Sequence, residues 1–242
     1  VSNKKYTNYL DEISLHHSIP VMDAEVEKFM EDIPKNGWIL DVGGCWGWHW
    51  RNIHFSRPDV KIVILDLVRE NLYHAKNILK DNIDKNIFLF HGNALSLEFG
   101  NNVFDGVWSV QTTQHIPNYK GVVLEVFRVL KSGGIFIDYN LNTASLTRLI
   151  YQLFGKRYHL EGDINGRFFL RRVNEKTKSV VLEIFGNDFR TRNTEILFSP
   201  ELGFPIGGKE KSILGKIDSL LSCYGRFWSL IARQSSFHVR KK

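Results

Sequence analysis

Two aspartates and a cluster of glycines carry most of the chemistry this sequence offers. Asp41 ends the apolar run Trp38-Ile39-Leu40, and Gly43, Gly44 and Gly47 follow closely, with Cys45 among them. The order is a short strand, an acid, a glycine-rich turn, then a helix from Trp48 to about Ser56 closed by Pro58. Glycines let a backbone pass close to a ligand, and a helix N-terminus offers unpaired N–H groups. Nineteen residues past Gly47 a second apolar strand, Lys61-Ile62-Val63-Ile64-Leu65, ends in Asp66. An acid there can accept hydrogen bonds from both hydroxyls of a ribose. The pair predicts a nucleoside-bearing cofactor. His115, in the stretch Ser109 to Pro117 after the fourth strand, stands where ligands of parallel sheets lie and can act as a proton acceptor. His49, just inside the first helix, is a weaker candidate of the same kind.

The elements that position these residues alternate along the chain. After the strand ending at Asp66 comes a helix from Arg69 to Lys80, with Leu72, Ala75, Ile78 and Leu79 on one face. Ile87 to Phe90 is a third strand and Phe104 to Val110 a fourth. Val122, Val123, Val126, Phe127 and Leu130 mark an amphipathic helix stopped by Ser132-Gly133-Gly134, and Gly134 to Tyr139 is a fifth strand. Strands separated by helices predict an α/β fold with a doubly wound, mostly parallel sheet. Residues 3–34 read as helix in two pieces broken near Pro20, and 143–154 as helix. Asn174 caps a helix over 175–185 ended by Gly186, with a β-hairpin over 168–185 as the competing reading. Ser212 to Tyr224 reads as helix and Phe227 to Ala232 as a last strand.

At 242 residues, with 43% hydrophobic and 13% aromatic content, the chain suits one domain with a real core. Its two cysteines, Cys45 and Cys223, give neither a disulfide framework nor metal-ligand spacing, so a reducing cytoplasm is expected and no metal. No apolar run predicts a transmembrane segment, and the polar start predicts no signal peptide. Charge is uneven. Residues 1–140 hold 14 Lys/Arg against 17 Asp/Glu, net −3, whereas 141–242 hold 18 against 9, net +9. A basic third points to an anionic partner (a phosphorylated small molecule, a membrane surface or a nucleic acid) or simply to a solvated basic face.

Leu40-Asp41-Val42-Gly43-Gly44-Cys45-Trp46-Gly47 resembles motif I of the class I S-adenosylmethionine-dependent methyltransferases, an acid-x-G-x-G-x-G pattern with Cys45 in place of its middle glycine. Gly92-Asn93-Ala94 resembles the turn after the family's third strand, with Asn93 where Asp is usual. Phe104 to Ser109 resembles motif IV, and Arg128 to Gly134 the helix-to-strand junction of the small-molecule branch. The resemblance covers about residues 36–140. It implies a seven-stranded Rossmann-like domain over 36–242, with substrate-side elements mainly within 141–226 and residues 1–35 as an N-terminal helical lid. It implies S-adenosyl-L-methionine as cofactor, held by Asp41, Gly43, Gly44, Cys45, Gly47, Asp66, Leu67, Asn93, Ala94, Val110 and Gln111, with His115 as the catalytic residue. An Asn93 carbonyl can accept the adenine amino hydrogen bond that an Asp would take.

The acceptor is narrowed by what is missing. There is no Asn/Asp-Pro-Pro-aromatic motif and no Pro-Cys nucleophile after strand four, which argues against nucleic-acid bases. What remains is a small-molecule or glycan acceptor, with O-methylation favoured. Arg148, Lys156, Arg157, Arg167, Arg171 and Arg172 favour a phosphate-bearing one. Tyr139 and Asn140, at the end of strand five, are candidates for orienting it. A nicotinamide-dependent oxidoreductase and a non-catalytic scaffold are the alternatives. The absence of G-x-G-x-x-G argues against the first.

Overall fold

The protein's structure, a computed structural model, describes residues 19–155, 161–164, 168–186, 189–196, 217–218, 220–222 and 226–242. In chain order the elements are α1 (Ile19–Glu31), β1 (Trp38–Val42), α2 (Ile53–Ser56), β2 (Lys61–Asp66), α3 (Arg69–Leu79), β3 (Ile87–His91) and β4 (Phe104–Val110). There follow α4 (Tyr119–Val129), β5 (Leu130–Leu141), α5 (Ser145–Leu153), β6 (Gly162–Ile164), β7 (Phe168–Leu170), α6 (Glu175–Phe185), β8 (Phe189–Thr194) and β9 (Gln234–Arg240). The main sheet has seven strands in the order β3-β2-β1-β4-β5-β9-β8, and β6 and β7 form a separate antiparallel hairpin. β1 runs parallel to β2 and β4, β2 to β3, and β4 to β5. Gly133 N donates to Lys241 O and Lys241 N to Gly134 O, while Asn142 N at the far end of β5 donates to Arg233 O. β9 therefore runs antiparallel to β5. This is the doubly wound, mostly parallel sheet that the alternation of elements predicts.

The chain gathers into two compact units. One contains Met30–Leu141, His159–Thr191 and Ser236–Lys242; the other contains Val1–Phe29, Asn142–Tyr158 and Arg192–Ser235. In the first, β1 and β2 are built on the apolar runs Trp38-Ile39-Leu40 and Ile62-Val63-Ile64-Leu65 because strands covered on both faces have no polar side. Every residue of β1 after Trp38 is buried. α4 lays Val122, Val123, Val126 and Val129 into the core with Leu40, Val107, Phe136 and Phe237. Burying each such side chain contributes about 1.5–3 kcal/mol. In the second unit, buried Glu25 and Glu195 are each paired with an arginine, Arg192 at 2.8 Å and Arg233 at 2.7 Å.

Several elements differ from expectation for physical reasons. The helix predicted over Trp48 to Ser56 breaks into a 3-10 turn, Trp48–Trp50, and the single turn α2, because Trp50 plunges to 0% exposure. The run Phe227 to Ala232 is not the last strand. Arg226–Leu230 is a 3-10 turn, and the strand is Gln234–Arg240, whose serines are buried and whose Phe237 and Val239 enter the core. Strand five begins at Leu130, directly after α4, so Ser132-Gly133-Gly134 lies inside it; Gly133 adopts φ +77°, and the pairing with β4 shifts register between Phe104 and Gly106. Over 168–185 the capped helix forms rather than the hairpin, with Asn174 and Thr177 making a reciprocal capping box. α1 and α5 form as helices. Residues 3–18 and most of 212–224 lie outside the described residues. Among the described residues no helix is long and apolar enough to cross a membrane.

Candidate active site

The β1–β2 register pairs Asp41 with Ile64 and Val42 with Leu65, so both strands end at one edge of the sheet. The chain must turn at once there, and two amides of the turn are held by one carbonyl: Gly43 N and Gly44 N both donate to Leu65 O, at 2.7 and 3.2 Å. Gly43 sits at φ +72°, and a Cβ there would come within 2.2 Å of Thr112, whose hydroxyl donates to Gly43 O at 3.1 Å. A Cβ on Gly44 would fall 2.3 Å from Asp41 Oδ2. Cys45, in place of the family's middle glycine, takes φ +51° and accepts the left-handed geometry at a cost of about 1–2 kcal/mol. Burial, with Asp66 nearby, pushes its thiol up to about 12, so the sulfur stays protonated and is no nucleophile.

Asp66 is 6% exposed and fastens the loop from below. Its Oδ2 accepts from Cys45 N at 3.0 Å, and its Oδ1 accepts from Val68 N at 2.8 Å and Asn71 Nδ2 at 3.1 Å. A carboxylate has about four acceptor directions. Three are filled, and one on Oδ2 is left for a ligand hydroxyl. Asp41 is 1% exposed and accepts from Trp50 Nε1 at 2.6 Å. Burial raises its carboxyl to about 7, against the opposing effect of the Trp50 hydrogen bond and with Asp66 adding to the rise. Trp46 donates its indole N–H to Asn71 Oδ1 at 3.3 Å, joining the turn to the first part of α3.

The other predicted cofactor residues stand at the same edge. The β2–β3 register pairs Asp66 with His91, so Asn93 and Ala94 follow just beyond the strand end. Asn93 is exposed and its Oδ1 accepts from Leu95 N at 2.9 Å. Ala94 is 7% exposed, while Leu67 is 65% exposed. Val110 ends β4, and Gln111 follows it at φ +52°.

His115 is exposed in a 3-10 turn over Thr113–His115. The Phe169 carbonyl, 2.9 Å from Nδ1, can only accept, so Nδ1 carries the proton. Nε2 then holds the lone pair and faces the Gln114 amide nitrogen at 3.2 Å, while Gln114 Oε1 accepts from Leu141 N at 2.8 Å. Beneath this turn lies a polar core that the sequence reading passed over. Asp138, fully buried in β5, meets the Thr113 hydroxyl at 2.9 Å and the Tyr119 hydroxyl at 3.0 Å. Burial raises its carboxyl to about 6, with those hydrogen bonds opposing. Arg171 straps the loop from outside, donating to the carbonyls of Thr113 and Ile116 at 2.7 and 3.1 Å and stacking over Tyr119. Asn140 Oδ1 accepts from Gln114 N at 3.1 Å, and Tyr139 packs between Trp108 and His238. An acid directly after the apolar run Ile135-Phe136-Ile137, ahead of Tyr139, was the available signal for this network.

The structure thus brings the loop 43–47, Asp41 and Asp66 into one hydrogen-bonded unit. Arg171 and Arg172 are taken up internally: Arg172 is 2% exposed, with Glu161 3.8 Å from its Nε. The close backbone of Gly43 and Gly44 and the open direction on Asp66 fit a nucleoside cofactor. Sheet order, strand-end acid and glycine turn together give the Rossmann-like methyltransferase fold.

Comparison with known proteins agrees. Residues 40–138 match the family described as a methyltransferase domain. The 24-methylenesterol C-methyltransferase 2 of Oryza sativa subsp. japonica is 37% identical over 111 residues, 46% of this chain and 30% of that protein. The demethylmenaquinone methyltransferase of Lactococcus lactis is 35% identical over 121 residues, 49% of this chain and 48% of that protein. A crystal structure of a SAM-dependent methyltransferase from Thermotoga maritima shares the fold, with a TM-score of 0.62 at 15% identity over 98% of this chain and 96% of that one. The match thus spans half or less of the curated relatives' length. Residues 40–138 thus match a methyltransferase domain, and the chain is similar to S-adenosylmethionine-dependent methyltransferases.

Proposed function

We propose that this protein transfers a methyl group from S-adenosylmethionine to a small-molecule acceptor. The observation that carries the reading is the glycine loop hydrogen-bonded to Asp66, whose Oδ2 keeps an acceptor direction open. When bound, the cofactor supplies an electrophilic methyl carbon on a sulfonium. Gly43, Gly44, Cys45 and Gly47 bring backbone close to it, Asp66 takes a ribose hydroxyl, and Leu67, Asn93, Ala94, Val110 and Gln111 line the rest. Asn93 Oδ1, already accepting from Leu95 N, has a second lone pair for an adenine amino group. The chain's main contribution to rate is positioning, which methyl transfer rewards strongly.

For a hydroxyl acceptor, His115 Nε2 takes the proton once the Gln114 amide gives up that nitrogen. O-methylation of a phosphate-bearing sugar or glycan is the finer form of the proposal, supported by 18 Lys/Arg against 9 Asp/Glu over 141–242. C-methylation of an apolar acceptor is the second reading, favoured by the name of the rice relative. The proposal keeps residues 1–35 as a lid on a domain of 36–242 working in the cytoplasm.

Calorimetry tests the cofactor. Asp66→Ala removes a charge-assisted hydrogen bond of about 1.5–3 kcal/mol, so S-adenosylmethionine affinity falls tenfold or more. Unchanged affinity removes Asp66 from the site. Release of S-adenosylhomocysteine across a panel of sugar phosphates, lipid-linked saccharides, sterols and quinols then separates oxygen from carbon acceptors.

A further inference from the structure

Helix α5 is turned inside out relative to an ordinary surface helix. Leu146, Leu149, Ile150 and Leu153 recur at i, i+3, i+4 and i+7 and form one stripe. That stripe faces outward: the four are 43%, 50%, 36% and 76% exposed, and Phe154 just beyond is 75% exposed. The side it buries carries Thr147. The adjoining turn Arg226–Leu230 repeats the pattern with exposed Phe227 and Leu230. In the same unit Leu220 is exposed, while neighbouring Asp218 is buried and accepts from Glu195 N. Large apolar side chains left in water on adjoining elements mark an interaction surface.

Charge selects the partner. Along the described residues of 142–155 and 192–235 the acids are withdrawn: Glu195 is 2% exposed and paired with Arg233, and Asp218 is 0% exposed. Arg148, on α5 itself, is exposed, and the sequence continues with Lys156-Arg157. An apolar stripe with Arg148 beside it and Glu195 and Asp218 turned inward complements an anionic lipid surface, where the stripe enters the acyl boundary and the cation meets headgroups. We propose that α5 and the turn Arg226–Leu230 dock this protein on anionic bilayers, where it meets acceptors carried in the membrane. The docking goes beyond the methyl-transfer reading and does not depend on it.

Flotation of the full chain with phosphatidylcholine vesicles, with and without phosphatidylglycerol, tests this. Binding is expected to the anionic vesicles and to weaken as salt rises. Leu149→Asp combined with Leu153→Asp should reduce it at least tenfold, and Arg148→Glu severalfold, with S-adenosylmethionine affinity unchanged as the check on folding. No flotation with anionic vesicles at low salt overturns the proposal. So does equal flotation of the double variant when it is folded. A dimer that Leu149→Asp splits, without lipid binding, assigns the stripe to self-association instead. A large loss of melting temperature without lipid binding assigns it to packing within the chain.

Discussion

Asp41 and Asp66 are both acids at strand ends, held in different surroundings. Asp66 is surrounded by three N–H donors, whereas Asp41 has one and is otherwise buried, so its carboxyl is raised from 3.8 to about 7. The folded state therefore holds that proton more tightly than the unfolded chain. The resulting stability is fully present below about pH 4 and is lost as pH rises toward about 7. Asp41→Asn keeps an acceptor for Trp50 and removes the titration. Melting curves from pH 4 to 7 should fall less steeply for the variant than for the wild type. Parallel slopes would show that Asp41 ionises normally. His115 gives the second prediction at this scale. If it takes the acceptor's proton, His115→Ala should lower single-turnover rate by roughly 10²–10⁴-fold at saturating cofactor, with cofactor affinity nearly unchanged. Loss of thermal stability together with rate would make it an anchor for the Gln114–Phe169 contacts instead. Asp41 and Asp66 stood out as candidates because they are acids at the ends of apolar strands, and His115 because it follows β4. The roles of Asn71 and Thr112 were not legible, because Asn71 meets Trp46 from 25 residues away and Thr112 holds a backbone atom 69 residues away.

At the scale of elements, local chemistry predicted structure best where one side chain decides it. Asn174 and Thr177 exchange hydrogen bonds at the start of α6, and that signal outweighed the strand preference of Val180 and Val181. Asn174→Ala should cost about 1 kcal/mol, read as a shift in the denaturant midpoint at constant slope. No shift would mean that packing of Val181 and Phe185 alone holds the helix. Prediction failed where a hydrogen bond or a partner strand decides. β9 begins Gln234-Ser235-Ser236, which reads as polar, but Gln234 is buried with its amide on Thr194 and Ser236 bonds His238. The aromatic run Phe227-Trp228 looks strand-like, yet Phe227 is 63% exposed. Burial of a strand by its neighbours is not written in the strand itself.

Across the whole molecule, the parallel direction of β1 to β5 followed from alternation alone. The function of the basic third did not, because formal charge does not reveal which cations are already engaged. Arg171 grips loop carbonyls, and Arg172 is buried near Glu161. An anionic acceptor must then rely on other cations, exposed ones such as Arg148 among them. Its apparent affinity should fall as salt rises, since exposed charges are screened beyond about 8–10 Å at physiological ionic strength. S-adenosylmethionine affinity should change much less. Equal salt dependence for both ligands would remove the anion site.

The sheet order has a consequence for synthesis. β8 lies at the edge and neighbours only β9, a strand made about 40 residues later and inserted between β8 and β5. As the chain emerges, β1 to β5 can pair in turn, but among the described strands β5 keeps an open edge and β8 has no partner until β9 appears. A nascent or prematurely terminated chain that stops before Gln234 would present the twelve-residue β5 as an unguarded template for another molecule. Closing the open edge of β5 thus waits on the synthesis of β9.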